Sequence, residues 1–161
     1  MKRNVQIMMG IGLAGGIAGA GYALMATTPQ ADPSSGRLQW QVPEVVARGE
    51  AIYVAACASC HGANLEGQAD WQMRGANGRL PAPPHDPTGH TWHHPDEILI
   101  TITTQGTAAV VGGNYESDMM GFGDVLTETE IIAVLSYIKS TWPPEVIEIH
   151  NQINVDFAAQ R

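Results

Sequence analysis

The stretch Cys57-Ala58-Ser59-Cys60-His61 constrains the fold of this chain more than any other. Two cysteines spaced C-x-x-C and followed at once by histidine are typical of covalent attachment of a c-type haem. Each thiol can add to one of the two vinyl groups on the edge of the macrocycle, and the adjacent imidazole then lies under the iron. The motif therefore predicts a fold that is built around a large apolar ring.

Two other chemistries also use a C-x-x-C pair. A zinc site would usually need a second pair of soft ligands, and Cys57 and Cys60 are the only cysteines in the chain. A dithiol redox centre would usually lie in a βαβ context, whereas this motif has flanks rich in Gly and Pro. The sequence favours the haem, and the dithiol centre is the main alternative.

The N-terminal region predicts contact with a membrane. Lys2 and Arg3 precede an uncharged run, Val5 to Met25, which as a helix would extend about 32 Å, close to the hydrocarbon thickness of a bilayer. Residues 1–26 are therefore expected to be a single-pass anchor in a bacterial inner membrane, with the remainder on the periplasmic side. The alternative is a cleaved signal peptide, which would leave a soluble periplasmic protein.

The rest of the chain divides into a linker, one small domain and a tail. Residues 27–43 are rich in Thr, Pro, Gln and Ser, which is typical of a linker. Residues 44–142 have room for one domain. The tail, residues 143–161, carries apolar residues at helical spacing (Val146, Ile149, Ile153 and Phe157), which predicts either a terminal amphipathic helix or a docking arm that frays.

Within the domain, the pattern predicts three helices and one long loop. A helix over 44–58 delivers Cys57, a short helix runs from 95 to about 104, and a capping box of Thr127 and Glu130 begins a helix that ends near Trp142. The loop 62–94 is long for a compact domain unless it wraps a ligand. Its segment 80–84 is expected to supply the backbone carbonyl that accepts a hydrogen bond from His61.

The second axial position decides what a haem iron does, because a protein ligand makes an electron-transfer centre and an open position allows gas binding or catalysis. The candidate ligands are two methionines and four histidines: Met119, Met120, His85, His90, His93 and His94. The clustered histidines have two further interpretations. They can form a second metal site with Asp86, or they can form a polar loop at the haem edge that donates hydrogen bonds to the propionates.

Over about residues 45–142 the chain resembles the class I cytochromes c. The resemblance rests on the order of a helix, C-x-x-C-H, a Pro-bearing loop, a short helix, a Met loop and a final helix that contains Ile131 to Ile138. Members of the family commonly have Met-Pro-x-Phe-Gly before the last helix. The stretch Met119-Met120-Gly121-Phe122-Gly123 matches this pattern, with Met120 in the place of proline.

The resemblance implies an all-α domain of three to five helices around one covalently attached haem c, to which the N-terminal run adds a transmembrane helix. It also implies that His61 and Met119 are the axial ligands, with Met120 as the alternative to Met119. The first and last helices of the family cross each other. Here that crossing would bring together Gly49, Tyr53, Leu135, Tyr137 and Ile138.

Charge narrows the choice of partners. The formal net charge is −8, and setting aside Lys2 and Arg3 leaves 6 basic and 16 acidic residues, a charge of −10. Such a charge argues against a nucleic-acid partner. Lys139 is the only lysine after the N-terminal run, so a ring of lysines cannot steer docking. Either a redox partner with a basic face or tethering by the anchor is expected to provide encounter.

Together these features predict a one-electron carrier of a bacterial respiratory or photosynthetic chain, rather than an enzyme. Redox proteins would be its partners, and no small-molecule substrate is expected. The first alternative is a permanent subunit of a membrane oxidoreductase complex. The second is a haem sensor or enzyme with an open iron.

Overall fold

The computed structural model describes residues 36–161, and in this part of the chain the regular structure is helical. Residues 36–161 form six α-helices: α1 (Pro43–Ala56), α2 (Ala58–His61), α3 (Asp96–Gln105), α4 (Thr107–Val111), α5 (Glu128–Ser140) and α6 (Pro144–Ala159). A 3₁₀ turn spans Thr91–His93, and an isolated bridge pairs Gly106 with Met120. The prediction of an all-α domain is confirmed for the described residues.

The three predicted helices of the domain are observed as α1, α3 and α5, with bounds close to the expected ones. Pro43 occupies the first turn of α1, where its missing N–H would have had no helical partner. The predicted capping box at the start of α5 is also confirmed. The Thr127 side chain accepts from the backbone N–H of Glu130, and the Glu130 carboxylate accepts from the backbone N–H of Thr127.

The sequence analysis assigned no element to residues 107–111, where the structure has α4. This helix has only five residues, which is too short for a periodic apolar pattern to show. Gly106 precedes it and Gly112 follows it, with φ of 86° and 74°, a backbone region that glycine adopts at little cost. The two glycines therefore define a single helical turn between two sharp bends.

The crossing of α1 and α5 forms the centre of the domain. A Cβ placed on Gly49 would lie 2.0 Å from the carbonyl oxygen of Ala133, so the two backbones touch there. One turn further along α1, the fully buried ring of Tyr53 lies 5.5 Å from that of Tyr137. The helix crossing that the resemblance implied is therefore observed, with Leu135 and Ile138 in the same buried core.

The tail forms α6, but its buried face differs from the one that the apolar spacing predicted. Ile149 is 47% exposed, whereas Ile147, His150 and Asn154 are buried. The helix is rotated because its polar side chains have partners in the domain. Asn154 exchanges two hydrogen bonds with Asp96, one through the Asp96 backbone N–H at 2.8 Å and one through its carboxylate at 3.0 Å.

A buried polar cluster therefore joins α6 to the start of α3 and to the segment that precedes α1. The Asp96 carboxylate accepts from the backbone N–H groups of Arg37 (2.5 Å) and Leu38 (2.9 Å). Lys139 is fully buried and donates to Asn151 on α6 at 2.6 Å. Buried polar groups with such partners fix one arrangement of the elements, because losing any partner leaves another group unsatisfied.

The predicted anchor or signal peptide, residues 1–26, and most of the predicted linker lie outside the described residues. Between residues 36 and 161, each helix is too short or too polar to cross a bilayer.

The close approach at Gly49 predicts that Gly49→Ala destabilises the protein. The added methyl group overlaps the Ala133 carbonyl, which we expect to cost about 1–3 kcal/mol and to exceed the gain of about 1 kcal/mol in helix propensity. Urea unfolding of the haem-loaded protein measures the change. The control is Gly75→Ala, where a Cβ would meet nothing nearer than 3.2 Å. Equal unfolding midpoints for the two variants would contradict the close crossing.

The cluster under α6 predicts acid sensitivity through His150. Burial, and then the charge of Lys139, lower the pKa of His150 from its ordinary 6.5 to about 4, although Asp96 and the His94 carbonyl act in the opposite direction. A histidine with a lowered folded pKa stabilises the fold fully above pH 6.5 and loses this contribution as the pH falls towards 4.

We therefore expect the free energy of unfolding of the wild type to fall more steeply over this range than that of His150→Gln. The difference should be as much as about 1.4 kcal/mol per pH unit, because the glutamine amide can still donate to the His94 carbonyl without titrating. The matched control is His93→Gln at an exposed histidine. Parallel pH profiles for His150→Gln and the wild type would refute the prediction.

Candidate haem-binding site

The C-x-x-C-H motif lies where α1 ends and α2 begins. Cys57 keeps a right-handed helical conformation between the two helices, and its carbonyl accepts from the N–H groups of Cys60 (3.1 Å) and His61 (3.0 Å). Side chains three positions apart on a helical turn share one face. Cys57 is half-buried, Cys60 is exposed, and neither forms a disulfide.

His61 is buried and hydrogen-bonded through one ring nitrogen. Its Nδ1 lies 2.8 Å from the carbonyl oxygen of Pro83, which is inside the segment 80–84 that the sequence indicated, so this prediction is confirmed. A carbonyl can only accept, so Nδ1 carries the proton and the lone pair is on Nε2. Burial lowers the pKa of His61, against the effect of the Pro83 hydrogen bond. The neutral ring thus offers Nε2 to a metal.

The environment of the thiols does not suit the alternative chemistries. Burial, with a smaller effect of Cys60, raises the pKa of Cys57 to about 11. A dithiol redox centre needs a thiolate, and hence a lowered pKa. A protein-ligated zinc site is also unsupported, because no three His, Cys, Asp or Glu side chains of residues 36–161 converge on a metal position.

The loop that follows the motif, residues 62–94, contacts the motif again through His85. The His85 and His61 rings are stacked, with centroids 4.0 Å apart and planes at 22°. Burial, and next the neighbouring His61, lower the pKa of His85 well below its ordinary value, so this ring is neutral. The sequence placed His85 in a histidine cluster but did not place it beside His61, since a residue in a non-periodic loop gives no signal of what it contacts.

The Met loop, which is the segment between α4 and α5 that contains Met119 and Met120, is held by backbone hydrogen bonds to the end of α3. Phe122 N–H donates to Thr103 at 2.9 Å and Gly123 N–H to Thr104 at 3.0 Å, and Met120 pairs with Gly106. The side chain of Met119 is half-buried, whereas Met120 is 69% exposed. The two neighbouring methionines, which the sequence left as alternatives, thus lie in different environments.

Ion pairs join the Met loop to the loop that follows the motif. Arg79 pairs with Asp118, next to Met119, and with Glu116 at 3.6 Å. An open cavity of about 430 Å³ lies between the two loops, and its lining includes Leu80, Pro81, Arg79 and Asp118. Exposed ion pairs of this kind contribute little to stability, so they are a contact between the two loops and not a major source of stability.

The other clustered histidines are engaged by aromatic rings. His90 stacks on Trp71 at 5.3 Å and His93 on Trp92 at 3.6 Å. The second metal site considered from the sequence is therefore not supported. The stacked arrangement places the face of the His85 ring against the face of the His61 ring, which does not favour His85 as a second ligand opposite His61.

These residues fit a covalently bound haem. The two free thiols share a helical face, and beside them the neutral imidazole of His61 has its Nδ1 held by the Pro83 carbonyl. A half-buried thioether lies on a separately anchored loop. Sulfur and imidazole donors suit iron, and the Gly- and Pro-rich loop has the length needed to wrap a ring. The fold and the site define a small all-α domain for a covalently held haem.

Comparison with known proteins agrees with this class. The profile of the cytochrome c family matches residues 46–142, and the chain belongs to this family. It therefore carries haem c, as the sequence predicted, and acts in electron transfer. The cytochrome c subunit of the cytochrome bc1 complex of Corynebacterium diphtheriae is 40% identical over 58 residues. This match covers 36% of the chain and 20% of the relative, and no solved structure matches.

Proposed function

We propose that this protein is a one-electron carrier whose haem is attached through Cys57 and Cys60 and ligated by His61 and Met119. The hydrogen bond from His61 Nδ1 to the Pro83 carbonyl carries the proposal, since it fixes the tautomer in which Nε2 can bind iron. When bound, the haem supplies an iron that alternates between the ferrous and ferric states. The chain's own residues determine how that iron is held.

Met119 is the better of the two methionine ligands. Its side chain is half-buried, and its carbonyl accepts from the N–H of Thr107 at 3.3 Å, which ties it to α4. The exposed side chain of Met120 points away from such an environment. A thioether ligand stabilises the ferrous state and raises the reduction potential.

The proposed partner is a redox protein with a basic docking face. Lys139 is fully buried, so beyond residue 2 no lysine of the chain contributes positive charge to the surface. The acidic excess of the domain would attract a basic partner and repel an acidic one. Such contacts between redox proteins are small and transient.

The proposed location is the periplasmic side of a bacterial inner membrane, with residues 1–26 as the anchor and 27–43 as the linker. A tether of this kind confines the domain to a small volume and raises its effective concentration near a membrane partner. The alternative, a cleaved signal peptide and a soluble periplasmic protein, keeps the same electron-transfer chemistry.

A second candidate function is that of a permanent subunit of a membrane oxidoreductase complex. The observation in its favour is the 58-residue match to the cytochrome c subunit of a bc1 complex. In this case the same haem would pass electrons within the assembly, and α6 with its exposed Ile149 would be available for subunit contact.

The assignment of Met119 predicts different outcomes for two neighbouring substitutions. Met119→Ala should lose the sulfur-to-iron charge-transfer band and should let the ferrous protein bind carbon monoxide, because an axial position opens. Met120→Ala should keep the wild-type spectrum. Absorption spectra of both oxidation states measure the difference. The reverse result would assign Met120, and an unchanged spectrum in both variants would favour an open-iron sensor or enzyme.

The free carrier and the subunit differ in what accompanies the native protein through gentle detergent purification. For the carrier we expect a single polypeptide whose intact mass exceeds that of the chain by one haem, with the N-terminal residues retained if the anchor holds. Stoichiometric co-elution of other membrane subunits would overturn the free-carrier proposal. A mass without haem would overturn both proposals.

A further inference from the structure

His85 has an unusual number of partners for a residue in an irregular loop. Its ring stacks on His61 at 4.0 Å and meets the Tyr53 ring edge-on at 6.2 Å. Its Nδ1 lies 2.8 Å from the hydroxyl oxygen of Thr91. Its backbone N–H donates to the carbonyl of Leu65 at 2.8 Å. The position and the tilt of this ring are thus fixed from several sides.

Its carbonyl is held as well, by an element far along the chain. The indole Nε1–H of Trp142, between α5 and α6, donates to the His85 carbonyl at 2.8 Å. Trp142 is itself buried, and its ring packs edge-on against His150 of α6 at 5.1 Å. The loop segment that carries both Pro83 and His85 is therefore braced by the C-terminal part of the fold.

We propose that His85 is a positioning residue for the haem iron, whose stacked ring fixes the rotational orientation of the His61 imidazole. This inference rests on the proposed function, in which His61 is an axial ligand. The Pro83 hydrogen bond holds one ring atom of His61, and it leaves the ring free to pivot about the line from Nδ1 to the carbonyl oxygen. A flat ring 4.0 Å away and nearly parallel removes that remaining freedom.

The orientation of an axial imidazole matters because its π orbitals overlap differently with the iron d orbitals as the ring rotates. Fixing the ring therefore fixes the splitting of the d levels, which the g-values of the ferric state report. It also contributes to the reduction potential, since outer partners of a ligand tune the metal. An aliphatic side chain at position 85 could fill the space but could not define a plane.

The test compares four variants of the haem-loaded protein. His85→Leu removes the flat ring, His85→Phe keeps a flat ring without the Nδ1 hydrogen bond, and Thr91→Val removes the partner of Nδ1. His93→Leu is the control, since His93 is exposed and stacks on Trp92 instead of on His61. Electron paramagnetic resonance of the ferric state and redox titration are the readouts.

We expect His85→Leu to shift and broaden the largest g-value and to move the potential. The shift should be smaller in Thr91→Val and in His85→Phe, because both keep a flat ring at position 85 and lose only the hydrogen bond between His85 Nδ1 and Thr91. The control His93→Leu should stay close to the wild type. Unchanged g-values and potential in a fully haem-loaded His85→Leu protein would overturn the inference. If His85→Leu fails to load haem, the comparison of Thr91→Val with His93→Leu decides in the same way.

Failure of the proposed function is distinguishable from failure of this inference. A wild-type spectrum without low-spin His/Met character would overturn the ligation by His61 and Met119. A normal wild-type spectrum that His85→Leu leaves unchanged would overturn only the role of His85.

Discussion

The hydrogen bond from the His61 ring to the Pro83 carbonyl is the contact on which the rest of the site depends. It closes a loop of more than twenty residues onto the helix that carries the motif, at 2.8 Å. A second hydrogen bond within this loop, from the N–H of Gln68 to the carbonyl of Ala82 at 2.8 Å, brings its two ends together next to Pro83. A single such bond contributes only about 1 kcal/mol. The bond between His61 and Pro83 matters more for geometry than for stability, because it selects one tautomer and one position of the ring that is proposed to bind iron.

A carbonyl can fix a ring only if the carbonyl itself is fixed, and this explains the elements that surround the loop. Pro83 and Pro84 have restricted backbones, and the next residue, His85, is held by Leu65, Thr91 and Trp142. The last helix, α6, therefore contributes to holding this segment, because its His150 packs against the Trp142 ring that donates to the His85 carbonyl. Through Trp142, α6 supports the loop that carries Pro83, although it lies outside the region that the cytochrome c family profile matches.

The parts that could be predicted from the sequence are those whose signal is local. The C-x-x-C-H motif, the Thr127 and Glu130 capping box and the proline segment that supplies the carbonyl each depend on a few adjacent residues. The stacking of His85 on His61 and the rotation of α6 towards Asp96 could not be predicted. Both depend on contacts between polar side chains that are far apart in the sequence. The spacing of apolar residues such as Ile149 and Ile153 therefore predicted the wrong buried face for α6.

The burial of Lys139 links the stability of the fold to the choice of partner. Desolvation lowers the pKa of Lys139 to about 8, so its burial carries a cost that an exposed lysine would not have. The cost is offset by the hydrogen bond to Asn151 and by the face of the Trp40 ring, 5.8 Å away. The ammonium group of Lys139 therefore stabilises the contact between α5 and α6 and adds no positive charge to the surface. In the proposed function, the acidic excess of the domain would make its encounters depend on a partner's basic face or on a tether.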